Sequence, residues 1–309
     1  MKLLELTVEN LRGVPDGAHA FGEPSGRARD LVVLVDAAAG QLIQTIAALL
    51  EAVRVPAPTP HRLAWWAGRH GNEEARLRAH WALSEGEAAL AGVSGRTAVS
   101  EWRFGPGDQL PRQIPVEGAL PQGARADLGR YLWVDPNEIS IWMGADPLAE
   151  LLAGIARQDV AATRVSCRRC VGIVCWRTAD TFAALNKAIA PVFPALRLER
   201  VACEPGEAPV ACFRDGARVE LDQLADAERK EIHLVAAVHA GEVRGGVVLA
   251  GGLGFPAPGA ARERWLDWLA TLATTREIQL VVAVERRDVA TSACHKVVEL
   301  RADARRRLP

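Results

Sequence analysis

The hydrophobic pattern of the chain alternates between short apolar runs and stretches of helical spacing. Residues 31–35, Leu-Val-Val-Leu-Val, form a continuous apolar run that is typical of a strand buried on both faces of a parallel sheet. Residues 41–53 follow with apolar side chains at helical spacing and no glycine or proline, which predicts a helix. The last third repeats this order and predicts helices at 225–239 and 261–274, buried strands at 246–250 and 278–284, and a final strand at 296–300. This alternation predicts an α/β fold whose mostly parallel core sheet is flanked by helices.

Shorter elements fill the rest of the chain. Residues 2–9 alternate loosely between apolar and polar side chains and end at the turn Asn10–Gly13, which predicts an edge strand. Strands at 76–83, 97–104 and 131–134 are predicted to form an antiparallel β meander, with Ser84–Glu87 as the turn that ends the first of them. The pattern also predicts amphipathic helices at 146–158 and 178–190, and short strands at 197–203, 210–214 and 219–221 around a hairpin turn at Asp215–Gly216.

The domain organisation follows from this order of elements. We expect a single domain over residues 1–309. It would consist of an N-terminal lobe at 1–54, an inserted β meander and helical region at 55–215, and a C-terminal lobe at 216–309.

Composition narrows the function classes. The chain carries 37 basic and 38 acidic residues with 49% hydrophobic residues, which is ordinary globular usage and argues against strong autonomous binding of nucleic acid. No window has the ~18 uninterrupted apolar residues that a membrane helix needs, and Glu5 comes too early for a signal peptide, so we expect a cytoplasmic protein. Only four of the 37 basic residues are lysine, and none follows a glycine, which excludes a functional Gly-Lys-Ser/Thr phosphate loop.

The order of elements and several motifs resemble the ABC-type ATPase heads of the structural-maintenance-of-chromosomes, RecF and OLD kind, including small stand-alone bacterial relatives. The opening Lys2–Gly13, which ends in Asn-Leu-Arg-Gly, is similar to the first strand of those heads. The strand at 31–35 and the helix at 41–53 correspond to the elements around the phosphate loop. Further similarities lie in the run-in to the signature motif (Phe193–Leu198 and Asp215–Leu224), the Walker B strand (Gly246–Ala250), the loop Phe255–Pro258 and the strand ahead of the switch histidine (Ile278–Val284).

The phosphate loop departs from the family at its functional positions. An active loop surrounds phosphate with backbone N–H groups, while a lysine reaches the β/γ oxygens and a Ser/Thr hydroxyl holds Mg²⁺. In the alignment that the resemblance implies, Leu42 stands for the lysine, Ile43 stands for the hydroxyl residue, and Asp36 places a negative charge at the loop entrance. The vestigial loop comprises Asp36, Ala37, Ala38, Ala39, Gly40, Gln41, Leu42 and Ile43.

The other catalytic motifs also depart from the family. Gly251 and Gly252 stand where Walker B has an aspartate for Mg²⁺ and a glutamate for water activation. The signature segment reads Leu-Ala-Asp-Ala-Glu-Arg, so that Ala225 and Ala227 replace its serine and glycine, while Glu228 matches. The position of the switch histidine falls at Glu285.

These departures predict a catalytically inactive pseudo-ATPase with no cofactor and no metal, because no residues are left to stabilise in-line phosphoryl transfer. We expect it to bind a protein partner or a second copy, through the head-like face or through the tryptophan-rich insertion. That insertion contains Trp65, Trp66, Trp81, Trp102, Trp133 and Trp142, for which packing in the core is the favoured alternative use. Two alternatives remain open. The first is a nucleotide sensor or weak NTPase with an unconventional pocket in which Arg12 neutralises phosphate. The second is a nucleic-acid-associated accessory factor of a DNA repair or anti-phage system.

The remaining chemical motifs are weaker evidence for a function. Cys167 and Cys170 form one half of a zinc site, but no second half-site follows, and Cys175 lies in a predicted buried strand. The segment Gly251–Gly254 is not followed by the last glycine of the Gly-x-Gly-x-x-Gly pattern, and no helix begins directly after it, as a dinucleotide-binding turn requires. The run Arg305–Arg307 is typical of a solvated terminus.

Overall fold

The computed structural model describes most of the chain and all the sheets discussed below. The described residues are 1–35, 38–54, 73–106, 108, 112–116, 118–120, 131–134, 148, 151–153, 181–200, 210–240, 243–254, 256, 259–284 and 296–299.

Strands and helices occur in a mixed order along the chain. In chain order the strands are β1 (Lys2–Glu9), β2 (Gly17–Ala20), β3 (Leu31–Val35), β4 (Ala75–Ala82), β5 (Thr97–Phe104), β6 (Arg112–Ile114), β7 (Tyr131–Val134), β8 (Leu196–Arg200), β9 (Val210–Arg214), β10 (Ala217–Val219), β11 (Val247–Ala250), β12 (Gln279–Val284) and β13 (Lys296–Glu299). The helices are α1 (Ala39–Arg54), α2 (Glu85–Ala91), α3 (Thr181–Ile189), α4 (Asp226–Ala240) and α5 (Ala260–Thr275).

A parallel five-stranded sheet forms the core, in the order β13-β3-β12-β11-β7. Its strands lie in simple parallel register, with Val35 beside Val284 and Val282 beside Ala250. The predicted α/β fold is therefore confirmed. One assignment was wrong: residues 131–134 pair with β11 at the edge of this sheet and are not part of the antiparallel meander. A four-residue apolar strand carries no local signal of its pairing partner, so only tertiary structure decides which sheet it joins.

Both faces of the parallel sheet are covered, by two separate hydrophobic clusters. Alternate residues such as Val32 and Leu34 point into the first cluster, which contains α1 and the inner face of a second sheet. Val33 and Val35 point into the other cluster, which contains α3, α4 and α5. Every residue of β3 and β12 is buried, as expected for strands packed on both sides.

The second sheet is antiparallel, in the order β2-β1-β4-β5-β6. The expectation that residues 2–9 form an edge strand was wrong, because β1 is paired with β2 on one side and β4 on the other. The single-sided alternation of β1, with Leu3, Leu6 and Val8 buried, reflects a sheet with one wet face and not an edge position. The N-terminal strand thus belongs to the meander and anchors it.

The segment Ser84–Glu87, predicted as a turn, instead begins helix α2. Ser84 is the N-cap: its hydroxyl accepts a hydrogen bond from the backbone N–H of Glu87, and the Glu87 carboxylate accepts one from the backbone N–H of Ser84. This reciprocal pair is a capping box, and Ser-x-x-Glu ahead of Ala88 and Ala91 was its sequence signal. The Glu87 carboxylate also pairs with the amino group of Met1.

A small three-stranded sheet, in the order β10-β9-β8, packs beside α3. The predicted hairpin turn is confirmed, since Asp215 and Gly216 have φ of 51° and 82° between β9 and β10. The strand predicted at 219–221 was wrong beyond Val219, because residues Leu221–Gln223 form a 3₁₀ turn that leads into α4. At the outer side of β8, the amide of Asn186 donates to the carbonyl of Leu198 at 2.7 Å and accepts from its N–H at 2.8 Å.

The helices predicted around these sheets agree with the structure where it describes them. Helix 178–190 is confirmed as α3, and of helix 146–158 the structure describes Leu148 and residues 151–153, which are helical. No helix in the described ranges is both long and apolar enough to span a membrane.

A buried glutamine joins the two large sheets. Gln279, the first residue of β12, is fully buried; its amide donates to the carbonyl of Leu3 at 2.8 Å and accepts from the N–H of Leu3 at 2.6 Å. The side chain thus continues the backbone ladder from the parallel sheet to β1. The two residues are 276 positions apart in the chain, so this contact fixes long-range register.

We expect Gln279→Leu to lower the free energy of unfolding by roughly 2–5 kcal/mol, because the buried N–H and C=O of Leu3 both lose their partner. Urea unfolding followed by circular dichroism measures this difference. Gln44→Leu, a glutamine that is only partly buried on α1, is the matched control and should change stability by less than about 0.5 kcal/mol. A Gln279→Leu protein as stable as the control would contradict the role of this contact.

Candidate functional site

The carboxyl ends of the parallel strands converge at one edge of the core sheet. The segment before α1 follows β3, and a glycine-rich segment follows β11 two strands away. In open α/β sheets, ligands bind at this edge, so it is the place where a phosphate site would be built. Residues 38–43, the described part of the predicted vestigial loop, and the Gly251–Gly252 pair are therefore brought to the same edge, on either side of β12.

The first turn of α1 is built from core side chains. Leu42 and Ile43 have 0% and 1% of their surface exposed and belong to the cluster between α1 and the antiparallel sheet. The N–H of Leu42 donates to the carbonyl of Ala38 at 3.0 Å, so this residue lies in a regular helical turn. Ala39 is buried as well, and only Gly40 is exposed. The positions aligned with the lysine and the hydroxyl residue of a phosphate loop thus serve packing.

Gln41 lies against the turn that follows β1. Gly13 has φ of 79°, and a Cβ placed on it would lie 3.3 Å from Cγ of Gln41. The side chain of Gln41 therefore fills the space beside this turn, and a glycine at position 41 would leave that space empty. Arg12, which precedes Gly13 in the chain, is exposed.

The segments aligned with Walker B and with the signature motif touch each other. Gly251 and Gly252 follow β11 without any side chain, and Gly252 has φ of 67°. A Cβ placed on Gly254 would lie 2.8 Å from the Cβ of Ala227 near the start of α4, a distance that real structures do not tolerate. The loop after β11 is consequently packed against the first turn of α4, and only glycine fits at 254.

The N-terminus of α4 is capped by its own acidic residue. The carboxylate of Glu228 accepts a hydrogen bond from the N–H of Ala225 at 2.8 Å and pairs with Arg214 at 2.7 Å. A helix N-terminus attracts anions through its free N–H groups, and here a carboxylate takes one of those groups. Ala225 and Ala227 are exposed on the same turn.

Two titratable side chains on α4, the buried Glu231 and the half-buried His239, lie outside the sites that the sequence predicted. Glu231 is 4% exposed and accepts a hydrogen bond from Nε1 of Trp265 on α5 at 2.6 Å. Burial raises the pKa of Glu231 to about 7; the hydrogen bond from Trp265 works against this, and the charge of Glu228 adds to it. His239 contacts the guanidinium of Arg276 at 2.7 Å, and burial, followed by this charge, lowers its pKa to about 4. The sequence signal for Glu231 was a glutamate at an apolar position of the helical pattern, which indicates a buried carboxyl group with a raised pKa.

Some predicted positions lie outside the described residues. These are Asp36, Ala37, Phe255, Ala257, Pro258, Glu285, the pair Trp65 and Trp66, the terminal arginine run, and Cys167, Cys170 and Cys175. Within the described part of the chain, no three His, Cys, Asp or Glu side chains are grouped to hold a metal ion. Cys212 there is a free, buried thiol, and burial raises its pKa to about 11.

Comparison with known proteins shows which known fold this chain shares. No family model matches the chain, and no curated protein matches it either. Among solved structures, the SMC head bound to the C-winged helix domain of ScpA superposes with a TM-score of 0.52 at 12% identity, over 93% of this chain and 90% of that one. The chain has the fold of an SMC-type ATPase head. The SMC head domain from Thermotoga maritima (TM-score 0.49, 10% identity, 93% and 90% covered) and RecF with ATP in the RecFOR pathway (0.44, 9%, 94% and 93%) are also similar.

This likeness confirms the resemblance that the motifs predicted, at the level of the ABC-ATPase-head-like fold. The head-like order of elements is retained across nearly the whole chain. The identity of 12% is too low to transfer an activity, so function has to be argued from the residues at the sheet edge.

We expect Leu42→Lys to destabilise the protein by roughly 3–5 kcal/mol, because the substitution places an unpaired ammonium in the hydrophobic cluster. Leu42→Met is the matched control and should cost less than about 1.5 kcal/mol. Urea unfolding of both variants measures the difference. If Leu42→Lys were as stable as Leu42→Met, the side chain at 42 would have access to water or to an anion, and its assignment to the core would be wrong.

We expect Glu231 and His239 to oppose each other in the pH dependence of stability. Between pH 4.5 and about 7 the folded state retains a proton on Glu231 that the unfolded state releases, so stability from this group falls as pH rises. Between pH 6.5 and about 4 the unfolded state protonates His239 while the folded state does not, so stability from this group falls as pH falls.

Glu231→Gln removes the loss of stability that Glu231 causes as pH rises, and its amide oxygen can still accept the hydrogen bond from Trp265. Its gain in stability at pH 8 should reach up to about 3 kcal/mol, and its stability should rise between pH 4 and 6.5 more steeply than that of the wild type. Urea unfolding across this pH range measures both. Glu263→Gln, at an exposed position of α5, should keep the wild-type profile. Parallel pH profiles for Glu231→Gln and wild type would refute the assignment.

Proposed function

We propose that this protein is a catalytically inactive ABC-type ATPase-like protein that acts as a structural or regulatory protein-binding subunit of a larger complex. The observation that carries the proposal is the burial of Leu42 and Ile43 at 0% and 1% exposure. At these aligned positions, an active head presents a cation to the β/γ-phosphates and a hydroxyl to Mg²⁺. Side chains committed to a hydrophobic cluster supply neither group.

The loop after β11 supports the same proposal. In-line phosphoryl transfer needs carboxylates that hold the metal and orient water, and Gly251 and Gly252 carry no side chain. The next carboxylate along the chain, Glu263, is exposed on the first turn of α5. The close approach of Ala227 leaves no room for a side chain at Gly254.

The rigid edge of the core sheet supports the proposed role as a subunit of a complex. A head can present a rigid edge to another protein whether or not it hydrolyses nucleotide, because the parallel sheet is buried on both faces and holds that edge in place. A structurally similar SMC head was solved bound to a winged-helix domain of ScpA. We therefore place the function of this chain in protein binding.

A nucleotide sensor is the second candidate, and the position of Arg12 favours it. Its side chain is exposed, and the next residue, Gly13, lies against Gln41 in the first turn of α1. A guanidinium at this position is suited to bind phosphate oxygens in a bidentate manner. Such a site would bind nucleotide without hydrolysing it.

Thermal unfolding with and without millimolar Mg-ATP, together with phosphate release, tests the proposal. We expect no shift of the melting temperature and no release, because the phosphate-binding groups are missing. A bound ligand would stabilise the folded state by RT ln(1 + [L]/Kd), which is about 2.7 kcal/mol at a hundredfold excess over Kd.

The variants Arg12→Ala and Arg27→Ala separate the two candidates. Arg27 is 75% exposed away from the sheet edge and is the matched control. A nucleotide-dependent shift that Arg12→Ala abolishes and Arg27→Ala retains would establish the sensor in place of the inert head. Phosphate release that disappears on Gln41→Ala would overturn both candidates and establish an active enzyme.

A further inference from the structure

The loop that follows β11 is held between the first turns of α4 and α5. Its residue Leu253 is buried in the hydrophobic cluster to which both helices contribute. On one side, Gly254 lies against Ala227 of α4. On the other side, the buried Arg262 of α5 donates from Nε to the carbonyl of Pro256 at 2.9 Å. The position of the loop therefore depends on how the two helices are placed relative to each other.

A hydrogen bond joins the same two helices one turn further along. Glu231 follows Ala227 by four residues on α4, and Trp265 follows Arg262 by three residues on α5. Residues three or four apart lie on the same face of a helix, so both side chains are on the faces that hold the loop. Nε1 of Trp265 donates to Oε1 of Glu231 at 2.6 Å, and both residues are buried. This bond therefore holds the helices together next to the loop.

The carboxyl group of Glu231 lies in an apolar environment. Its donor, the indole of Trp265, is neutral, and the charge that acts on it is the negative one of Glu228, one turn earlier on α4. Glu228 is itself paired with Arg214. A buried carboxylate without an opposite charge is strongly unfavourable, so the packed helices favour the protonated form of Glu231.

The charged groups of the neighbouring helices do not change this balance. On α5, Arg262 donates to the loop, whereas Glu263, Arg264 and Asp267 are exposed. Helix α3 also packs against α4, and its one charged residue, Lys187, is exposed. Within the described ranges, no cation is paired with Glu231.

We propose that release of the Glu231 proton to water separates α4 from α5 at Trp265 and frees the loop after β11, which makes this loop a pH-sensitive strap. The ionised carboxylate needs water, and water reaches it when the two helices separate at this turn. The same separation removes the contacts of the loop with Ala227 and Arg262. Because the loop lies at the carboxyl edge of the core sheet, its release changes the surface that this edge presents.

The direction of the pH dependence follows from the two forms of the strap. The pKa of Glu231 is about 7 when the helices are packed, and it returns towards 4.5 when the carboxylate is in water. Between these values the released form has lost a proton that the packed form retains, so rising pH favours release. Above about pH 7 both forms are ionised, and the balance between them no longer changes.

The inference goes beyond the proposed function and does not depend on it. An active or a nucleotide-sensing head with these contacts would have the same strap. The experiments below contain no nucleotide, which separates their outcome from the test of catalytic inactivity.

Hydrogen exchange of the backbone amides at residues 251–254 tests the proposal. The rates are measured by mass spectrometry at pH 5 and pH 7 and corrected for the intrinsic change of amide exchange with pH. We expect the corrected rate in the wild type to rise by roughly tenfold or more between the two pH values. Strand β4, which packs on the opposite face of the core sheet, should keep its protection.

Two variants identify the group that is responsible. Glu231→Gln keeps the size of the side chain and an acceptor for Trp265 but has no proton to release, so the corrected rate in its loop should not rise. Glu263→Gln removes an exposed carboxylate from the first turn of α5 and is the matched control. It should retain the rise of the wild type.

Three results would overturn the inference. The first is an equal corrected rate for the wild-type loop at pH 5 and pH 7, and the second is the same rise in Glu231→Gln as in the wild type. The third is a rise that β4 shares, because it would show unfolding of the whole protein in place of release of the loop. Circular dichroism at both pH values checks that each variant retains the fold.

Discussion

The structure depends on covering both faces of a parallel sheet of mainly apolar strands. One face is covered by α1 and the antiparallel sheet, and the other by α3, α4 and α5. Helix α1 lies between two sheets and therefore has apolar residues on more than one side. This requirement accounts for the first turn of α1, where Leu42 and Ile43 extend the core into the space next to the edge of the sheet.

Among the described residues, Gln279 makes a specific polar contact between the two large sheets. Hydrophobic packing between them is strong but not directional, so it does not define how one sheet is positioned along the other. The amide of Gln279 adds direction because it pairs with both backbone groups of Leu3.

Local sequence was sufficient where one segment determines its own structure. The apolar runs at 31–35 and 278–284 and the Asp215–Gly216 turn were predicted correctly, because burial on both faces and positive φ leave direct signatures. Prediction was wrong where the answer depends on a distant partner, as for β1 between two strands and for β7 in the parallel sheet. For the candidate site, the sequence predicts that the lysine and the carboxylates are absent, and that stays a prediction. The contacts of Glu231 with Trp265 and of Gly254 with Ala227 join separate segments, so no local pattern could predict them.

The hydrogen bonds of Asn186 have a consequence for solubility. Strand β8 is the outermost strand of the small sheet, and an outermost strand normally offers free N–H and C=O groups to other chains. At Leu198 both groups are already bonded to one side-chain amide. A strand from another molecule cannot pair at this residue without displacing α3, so the amide protects the small sheet against edge-to-edge aggregation.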